Sequence, residues 1–391
     1  MRLGFHYHVP AVLVGGQIRM PAYQGRFVDA LADYCSEVVC FLHSPLAQER
    51  PQMDYSLRSG NVRLVELGPH TSTPRRLLSA RRSAGILRSQ RALFDALLLR
   101  GPSPLLPALA DAARPVPTAL LLVGDNVAGV NDTRQPVWRR PAIRLLWQWN
   151  QRRQDRAAKR SLTIVNSRKL FREFQPYVPN LIETRTTTLT RADFFDREDT
   201  CTHAPYHLLY TGRMARGKGL IEMVEALALL VQQGEDVILD LVGWPEKGDD
   251  VLEEMEQVAG RLKMAERVRF HGLKPAGPEL YAHYRKSDIY VIASKSDSEG
   301  FPRTIWEAMA HSLPVIATRV GSIPDFVGAS AELVVPGNSD ELAKALRNVI
   351  KNPIRRREMI RRGRSSALDS TLETQVGNLI REVERWAGRP T

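Results

Sequence analysis

The sequence has few cysteines and no long apolar run. Its three cysteines, Cys35, Cys40 and Cys201, are an odd and sparse set, which argues against a disulfide framework and predicts reduced thiols in the cytoplasm. No stretch approaches the roughly 20 apolar residues of a membrane-spanning helix. His6 and His8 interrupt the apolar start, so we expect no secretory signal. No CxxC pair or His/Cys cluster argues for a zinc site.

Acidic residues are also in deficit. Lys and Arg total 55 against 43 Asp and Glu, a net charge of +12. Such a balance suits phosphorylated substrates, an anionic membrane or nucleic acid. No recognition motif accompanies the charge, so we expect no nucleic-acid partner. The excess lies mainly in the first half, in two clusters: Arg75, Arg76, Arg81, Arg82, Arg88 and Arg91, then Arg134, Arg139, Arg140, Arg144, Arg152, Arg153, Arg156, Lys159 and Arg160.

The pattern that is present is an alternation of β-branched runs with helical periodicity. It is clearest after residue 205, where HLLYTG, VILDLVG, IYVIAS and PVIAT alternate with amphipathic segments. This pattern predicts an α/β fold with doubly wound parallel sheets. A length of 391 residues predicts about two domains. The polar stretch 195–204 is the expected boundary, which gives Rossmann-like domains over 1–197 and 198–371, with a cleft between them.

Residues 211–219, TGRMARGKG, combine glycines with two cations. Gly212 and its neighbours allow the backbone to approach a ligand closely. Arg213 and Lys218 stand just before a predicted helix, whose N-terminus attracts anions. We expect a diphosphate site here; a solvated basic turn is the alternative.

Residues 296–310, SDSEGFPRTIWEAMA, place two carboxylates at the entry of an apolar helix. Glu299 and Glu307 could each accept two vicinal hydroxyl groups, which suits a hexose for Glu299 and a ribose for Glu307. The alternatives are an interaction of Glu299 with the helix dipole and a buried salt bridge for Glu307. The turn 321–328 is expected to close the same pocket, or to be an ordinary connection.

Taken in order, YTGR, KG, LVG, FHG, YRKSDIYVIAS, SEGFPRTIWEAMA, LPVIATRVGSIPD and LVVPGNSDELAKAL resemble the retaining GT-B glycosyltransferases of family 4, from Leu208 to about Leu346. The resemblance implies a GT-B fold, with an N-terminal domain that binds the acceptor and a C-terminal domain that binds an NDP-sugar. It implies a C-terminal helix, 372–391, that packs back on the first domain. It also implies that neither a metal nor another cofactor is needed.

The same resemblance assigns roles to individual residues. Arg213 and Lys218 neutralise the diphosphate, Glu299 contacts the sugar and Glu307 the ribose. The matching backbone contacts fall on a set around the helix entry: Gly212, Gly300, Phe301, Pro302, Arg303 and Thr304. In the first half, Gly15 and Gly16 match a glycine loop near the diphosphate. Asp125 stands where many members carry a histidine, and is read equally as a catalytic residue or as a helix cap.

Two basic segments with apolar partners, the helix-like stretch 74–99 and the stretch 138–159, suit an anionic membrane surface. The function expected from all this is transfer from an NDP-sugar to a saccharide or lipid-linked saccharide, at the inner face of the cytoplasmic membrane. A non-catalytic sugar-nucleotide-binding protein and a GT-B-type epimerase stay open as alternatives. Asp249 and Asp250 are interpreted as a helix cap rather than a metal pair.

Overall fold

The computed structural model describes residues 1–101, 103–123, 140–185, 187–246, 248–275, 277–296 and 301–388. The chain divides into two compact units. Unit 1 comprises Met1–Thr188 with Leu372–Thr391, and unit 2 comprises Leu189–Thr371. Unit 2 therefore begins before the expected start at residue 198. The reason is local, because the amide of Phe195 donates to the carbonyl of Ala310 and the guanidinium of Arg197 to that of Ser287.

Unit 1 is built on a parallel sheet of seven described strands in the order β10-β9-β8-β7-β1-β4-β6. The strands are β1 (Arg2–Pro10), β4 (Glu37–Ser44), β6 (Val62–Pro69), β7 (Ala96–Gly101), β8 (Thr118–Leu122), β9 (Leu162–Val165) and β10 (Leu181–Glu183). The helices are α1 (Ala22–Ala32), α2 (Thr73–Leu78), α3 (Ala80–Ser89), α4 (Leu106–Ala113), α5 (Arg140–Ala158) and α6 (Arg168–Phe174). Apolar side chains of the central strands are buried in two clusters, which gives each strand the continuous hydrophobic character of a covered parallel sheet.

A small antiparallel sheet carries the glycine pair of unit 1. Its strands are β2 (Val12–Val14), β3 (Gln17–Met20) and β5 (Tyr55–Ser56). Gly15 and Gly16 form the exposed two-residue turn between β2 and β3. Their φ angles of 56° and 80° are those of a type I′ turn, for which glycine is favoured.

The last helix of the chain, α14 (Leu372–Ala387), belongs to unit 1. Val376, Leu379 and Val383 enter the same buried cluster as Leu3 and Leu31, and Trp386 packs at its edge. The helix also packs closely on Tyr34, because Gly377 lies against the ring of that residue. The hydroxyl of that tyrosine donates to the carbonyl of Glu373.

Unit 2 contains a parallel sheet of six described strands in the order β13-β12-β11-β14-β15-β16. These are β11 (Tyr206–Met214), β12 (Val237–Pro245), β13 (Val268–Phe270), β14 (Ile289–Ile292), β15 (Val315–Thr318) and β16 (Glu332–Val334). The helices are α7 (Leu220–Gln232), α8 (Val251–Arg261), α9 (Pro278–Lys286), α10 (Arg303–Ala310), α11 (Ile323–Val327), α12 (Ser339–Lys351) and α13 (Pro353–Asp369). The predicted α/β class with parallel sheets is confirmed.

One predicted helical segment is helical only in its first part. The stretch 74–99 is not one helix: α2 and α3 meet at Ser79, and the chain then enters β7. The apolar run at its end is buried as a strand, since Leu97, Leu98 and Leu99 have no exposed surface. Within the described ranges, no helix has both the length and the apolar character needed to cross a bilayer.

Candidate functional site

Three loops of unit 2 leave neighbouring strands at the same edge of the sheet. Strand β11 pairs with β14, and β14 pairs with β15, all in parallel. The loops that follow them therefore lie side by side at the carboxyl ends of the strands, where open α/β sheets bind ligands. These are the three segments that the sequence singles out: 211–219, 296–310 and 321–328.

The first two loops are in direct contact. The amide of Lys295 donates to the carbonyl of Gly217 over 2.8 Å. Gly219 packs so closely on the second loop that a Cβ atom at this position would lie 2.0 Å from the carbonyl oxygen of Ala293. Its φ of 71° is also in the left-handed region. Only glycine combines this conformation with this approach, so Gly219 joins the two loops and starts α7.

The cations of the first loop differ in their surroundings. Arg213 is half exposed and forms an ion pair with Glu246. Lys218 ends a short 3-10 turn immediately before α7 and is partly buried. Arg216 is held by acidic groups of the next helix, 2.6 Å from Asp250 and 2.5 Å from Glu254. Lys218 thus precedes the start of α7 directly, and both Arg213 and Arg216 are paired with carboxylates.

Glu307 lies in a chain of hydroxyl groups. Its Oε2 accepts a hydrogen bond of 2.9 Å from Tyr284, whose hydroxyl lies 2.7 Å from Oγ1 of Thr211. Tyr290 contacts the same threonine and donates to Oγ1 of Thr304 over 2.7 Å. Burial raises the pKa of the Glu307 carboxyl. Tyr284 engages only one oxygen, which leaves Oε1 for a second donor.

Aromatic contacts fix the entry of α10. The ring of Phe301 lies 4.3 Å from that of Trp306 and 5.1 Å from that of Phe326, centroid to centroid. Phe326 belongs to the third loop, so Phe301 connects it to α10. Pro302 occupies the N-cap position of the helix, and Arg303 is exposed at its first turn. Ile305 and Trp306 are buried, as the apolar pattern predicts.

Some predicted residues cannot be placed beside these groups. Glu299, Gly300 and Asp125 lie outside the described residues, and their expected roles stay predictions. Gly212 and Arg213 do lie in β11 next to β12, where Gly212 pairs with Gly243. Gly15 and Gly16 belong to unit 1, at the hairpin turn described above.

Two acidic groups bind the first loop from α8. Asp249 accepts from the amides of Val251 and Arg216, at 2.9 and 2.8 Å. Asp250 is the N-cap residue and pairs with Arg216. The interpretation of the pair as a helix start therefore agrees with the structure. The described residues contain no group of three His, Cys, Asp or Glu that could hold a metal ion.

The sequence did not reveal the partners of the site residues. Glu246 neutralises Arg213 from a distant loop, and Tyr284 reaches Glu307 from α9. The signal for Tyr284 was weak, since a tyrosine within an amphipathic helix is usually read as core. For Glu246 it is the register of β11 and β12, with Arg213 opposite Trp244, rather than any motif, that brings the partner close.

Comparison with known proteins places this half of the chain in a family. Residues 195–366 match the model of the family "Glycosyl transferases group 1". A D-inositol 3-phosphate glycosyltransferase from Pseudarthrobacter chlorophenolicus is 33% identical over 166 residues, 42% of this chain and 38% of that protein. A GDP-mannose-dependent alpha-(1-6)-phosphatidylinositol monomannoside mannosyltransferase from Mycolicibacterium smegmatis is 31% identical over 165 residues, 40% of this chain and 42% of that protein. The chain thus covers less than half the length of these relatives.

Solved structures resemble the whole chain. A glycosyltransferase from Rickettsia africae superposes with a TM-score of 0.67 at 16% identity, over 100% of this chain and 99% of its own. Anabaena HepE, solved in complex with UDP, gives a TM-score of 0.66 at 18% identity, over 98% and 100%. At such identities the likeness concerns the fold. Residues 195–366 therefore form a glycosyl transferases group 1 domain, in a chain with the GT-B fold.

Proposed function

We propose that the protein is a glycosyltransferase that moves a sugar from an NDP-sugar, bound in unit 2, to an acceptor. One observation carries the proposal: Arg213 and Lys218 come from one motif and Glu307 from another, yet two contacting loops and a shared sheet edge bring their elements together. The chemistry of the three is complementary to a nucleoside diphosphate. Two cations at the start of a helix suit the phosphates, and a carboxylate with an available oxygen suits a ribose hydroxyl.

The same groups would promote departure of the nucleoside diphosphate. Arg213, Lys218 and the N-terminus of α7 stabilise the negative charge that develops on the leaving phosphate. Glu246 holds the Arg213 side chain in place before binding, and the diphosphate competes with it for the guanidinium. The bond from the anomeric carbon to the phosphate oxygen breaks as the acceptor oxygen bonds to that carbon.

Retention of anomeric configuration and membership of family 4 are part of the proposal. In this mechanism the acceptor attacks from the face that the phosphate leaves, and a phosphate oxygen takes the acceptor proton. Glu299 orients the sugar, and Asp125 is an additional candidate on the side of unit 1. The reaction then requires neither a metal nor another cofactor, because the two cations supply the positive charge.

The proposed acceptor is a lipid-linked saccharide at the cytoplasmic face of the membrane. Supporting this, α2 and α3 present Arg75, Arg81 and Arg82 to solvent beside Leu78, which is 86% exposed. No carboxylate of the described residues pairs with these arginines. Exposed apolar groups among unpaired cations suit an anionic bilayer surface. The product would be a bacterial surface polysaccharide or glycolipid.

A nucleotide-sugar panel tests the function. UDP-, GDP- and ADP-sugars are screened by thermal shift, because a ligand that binds the native state raises its stability. The hit is then incubated with and without saccharide acceptors, and free nucleoside diphosphate is measured. Transfer or slow donor hydrolysis supports the proposal. Binding with no bond cleavage would indicate a sugar-nucleotide-binding protein, and interconversion of two NDP-sugars would indicate an epimerase. The anomeric configuration of the product, read by NMR, tests retention.

A further inference from the structure

Unit 1 has its own topological switch point, distinct from the loops of unit 2. Strand β1 lies between β7 and β4. From β1 the chain proceeds to β4 and β6 on one side and then to β7 on the other. Ligands of open α/β sheets bind outside the carboxyl ends of the strands at such a reversal.

Polar side chains from four strands meet at this point. His6 lies at the middle of β1, His43 near the end of β4, His70 directly after β6 and Ser103 after β7. The ring centroids of His6 and His43 are 6.4 Å apart, and those of His43 and His70 are 5.7 Å apart. Arg76 of α2 joins them and is 7% exposed.

The hydrogen bonds of His6 are complete. Its Nδ1 lies 2.7 Å from the carbonyl of Phe41, which can only accept, so Nδ1 carries the proton. Its Nε2 then accepts from the hydroxyl of Ser103 over 2.9 Å. Burial lowers the pKa of His6 to about 3. This imidazole is neutral, and both of its nitrogens are used within the protein.

His43 and His70 are different, because each uses only one nitrogen. Nδ1 of His43 lies 3.2 Å from the carbonyl of Gly68, and Nδ1 of His70 lies 2.6 Å from a carboxylate oxygen of Glu49. Both partners are acceptors, so in the neutral ring Nδ1 carries the proton and Nε2 presents a lone pair. Both Nε2 atoms are buried without a hydrogen-bond partner.

Arg76 supplies a hydrogen-bond donor, whereas the two histidines supply acceptors. Its two terminal nitrogens contact the carbonyl of His8 and the hydroxyl of Thr73. Its Nε–H is buried without a partner and can only donate. The guanidinium charge is near enough to contribute to the lowered pKa of His43 and of Glu49. Buried groups of this kind are costly unless a partner satisfies them.

We propose that His43, His70 and Arg76 form a binding site for the hydroxyl groups of a saccharide. Two imidazole lone pairs accept from sugar O–H groups, and the guanidinium Nε–H donates to a sugar oxygen. An anion fits less well, because it presents acceptors to two nitrogens that are themselves acceptors, and the Glu49 carboxylate stands behind one of them. That the saccharide is the transfer acceptor depends on the function proposed above; the site itself does not.

The test is a titration of full-length protein labelled with ¹⁵N-histidine, followed by NMR. The probes are the methyl glycosides of glucose, galactose and mannose, with glucose 6-phosphate and inorganic phosphate as anionic comparisons. We expect at least one neutral glycoside to shift the Nε2 resonances of His43 and His70 and to leave that of His6 in place. We expect its affinity not to rise as the pH is lowered, because an imidazole nitrogen accepts from a sugar hydroxyl only in its neutral form.

Variants sharpen the test. His70→Phe should weaken the glycoside roughly tenfold, while His70→Gln, whose amide oxygen accepts, should recover much of the affinity. His203→Phe, at an exposed histidine of unit 2, is the matched control and should change nothing. If His70→Phe does not fold, the pH dependence of glycoside and phosphate binding to the unaltered protein still tests the proposal. Phosphate binding that strengthens as the pH falls would overturn the proposal, as would three glycosides that move neither resonance at saturation.

Nucleotide-sugar turnover is measured on the same samples. Glycoside binding without any turnover would uphold the site and remove the transferase assignment. Turnover with no histidine shift would uphold the transferase assignment and remove the proposed site.

Discussion

The hydroxyl of Tyr284 donates to Oε2 of Glu307 over 2.9 Å, and this contact links α9 to α10 behind the proposed ribose position. Burial raises the pKa of that carboxyl. A raised pKa means that the charged form is disfavoured in the folded state, so Glu307 costs stability above its folded pKa and this cost fades as the pH falls through it. The carboxylate is therefore better explained by ligand binding than by stability.

Glu307→Gln tests this explanation. The amide keeps the volume and removes the buried charge, so thermal stability without ligand should be unchanged or higher. Affinity for the nucleotide-sugar should fall roughly tenfold, because a hydrogen bond to a charged acceptor is replaced by a neutral one. Calorimetric binding and thermal unfolding are measured on the same preparation. A large loss of stability with unaltered affinity would make Glu307 a structural residue.

Arg213→Ala and Lys218→Ala should each reduce transfer roughly tenfold to a hundredfold, because hydrogen bonds to charged groups contribute about 1.5–3 kcal/mol. Both side chains keep considerable exposure, so little loss of stability is expected. Arg216→Ala is the matched control. It removes a cation of the same loop that pairs with Asp250 and Glu254, and its activity should stay within about twofold of the parent. Full activity in both test variants would remove the diphosphate assignment.

Gly219→Ala should destabilise unit 2 and lower donor affinity. Strain from the left-handed backbone costs about 1–3 kcal/mol, and the added Cβ meets the Ala293 carbonyl. Gly234→Ala is the control, since its φ is also positive, at 85°, but nothing lies within 4 Å of the added atom. The difference in unfolding free energy between the two variants isolates the close approach. Equal values for both would mean that the loops adjust freely.

The Asp240 carboxylate bridges two histidines, with 2.6 Å to Nδ1 of His207 and 2.6 Å to Nε2 of His271. The hydrogen bond that His207 donates to Asp240 raises the pKa of His207. Although burial opposes it, the two histidines lower the pKa of Asp240. The His207 contribution is present below its unfolded pKa near 6.5 and is lost as the pH rises through its folded value. The stabilising contribution of Asp240 is lost as the pH falls through the pKa of this carboxyl in the folded protein.

Asp240→Asn should consequently cost more stability at about pH 6 than at about pH 9. Urea unfolding at the two pH values measures the difference. Asp236→Asn is a suitable comparison, because Asp236 forms an exposed pair with Arg267 and should show little pH dependence. A cost that is the same at both pH values would show that His207 is uncharged in the folded protein.

Leu78→Ser should weaken co-sedimentation with anionic vesicles, and added salt should weaken binding of the parent protein. Ile354→Ser is the control. Ile354 is 81% exposed in unit 2, but its neighbours Arg355 and Arg357 pair with Glu332 and Asp199. No binding of the parent at low ionic strength would favour a water-soluble acceptor.

Periodicity was enough to predict the elements of unit 2, because each strand is a short buried run between clear turn residues. It was too coarse over 74–99, where arginines and leucines alternate through two helices and into a strand. There the burial of Leu97 to Leu99 depends on pairing with β1 and β8, which no local pattern records.

The loops of the proposed donor site were predictable from the sequence, but the hydrogen-bond and ion-pair partners of its residues were not. Arg213 and Lys218 stand out because they lie in a glycine-rich loop just before a predicted helix. Glu246 and Tyr284 do not, since their importance arises from contacts across 33 and 23 residues of sequence. The histidines of unit 1 are evident in the sequence. Their proposed role, however, depends on which ring nitrogen is already hydrogen-bonded within the protein.

The position of α14 has a consequence for synthesis of the protein. The apolar cluster around Leu3 and Leu31 is completed by side chains from Val376 to Val383, which leave the ribosome after the whole of unit 2. Unit 2 is whole once Thr371 has emerged, so it can fold while unit 1 still exposes an uncovered apolar surface. The half of the chain that is made first is therefore the half that finishes folding last, and during that interval it is the part of the nascent chain most in need of a chaperone.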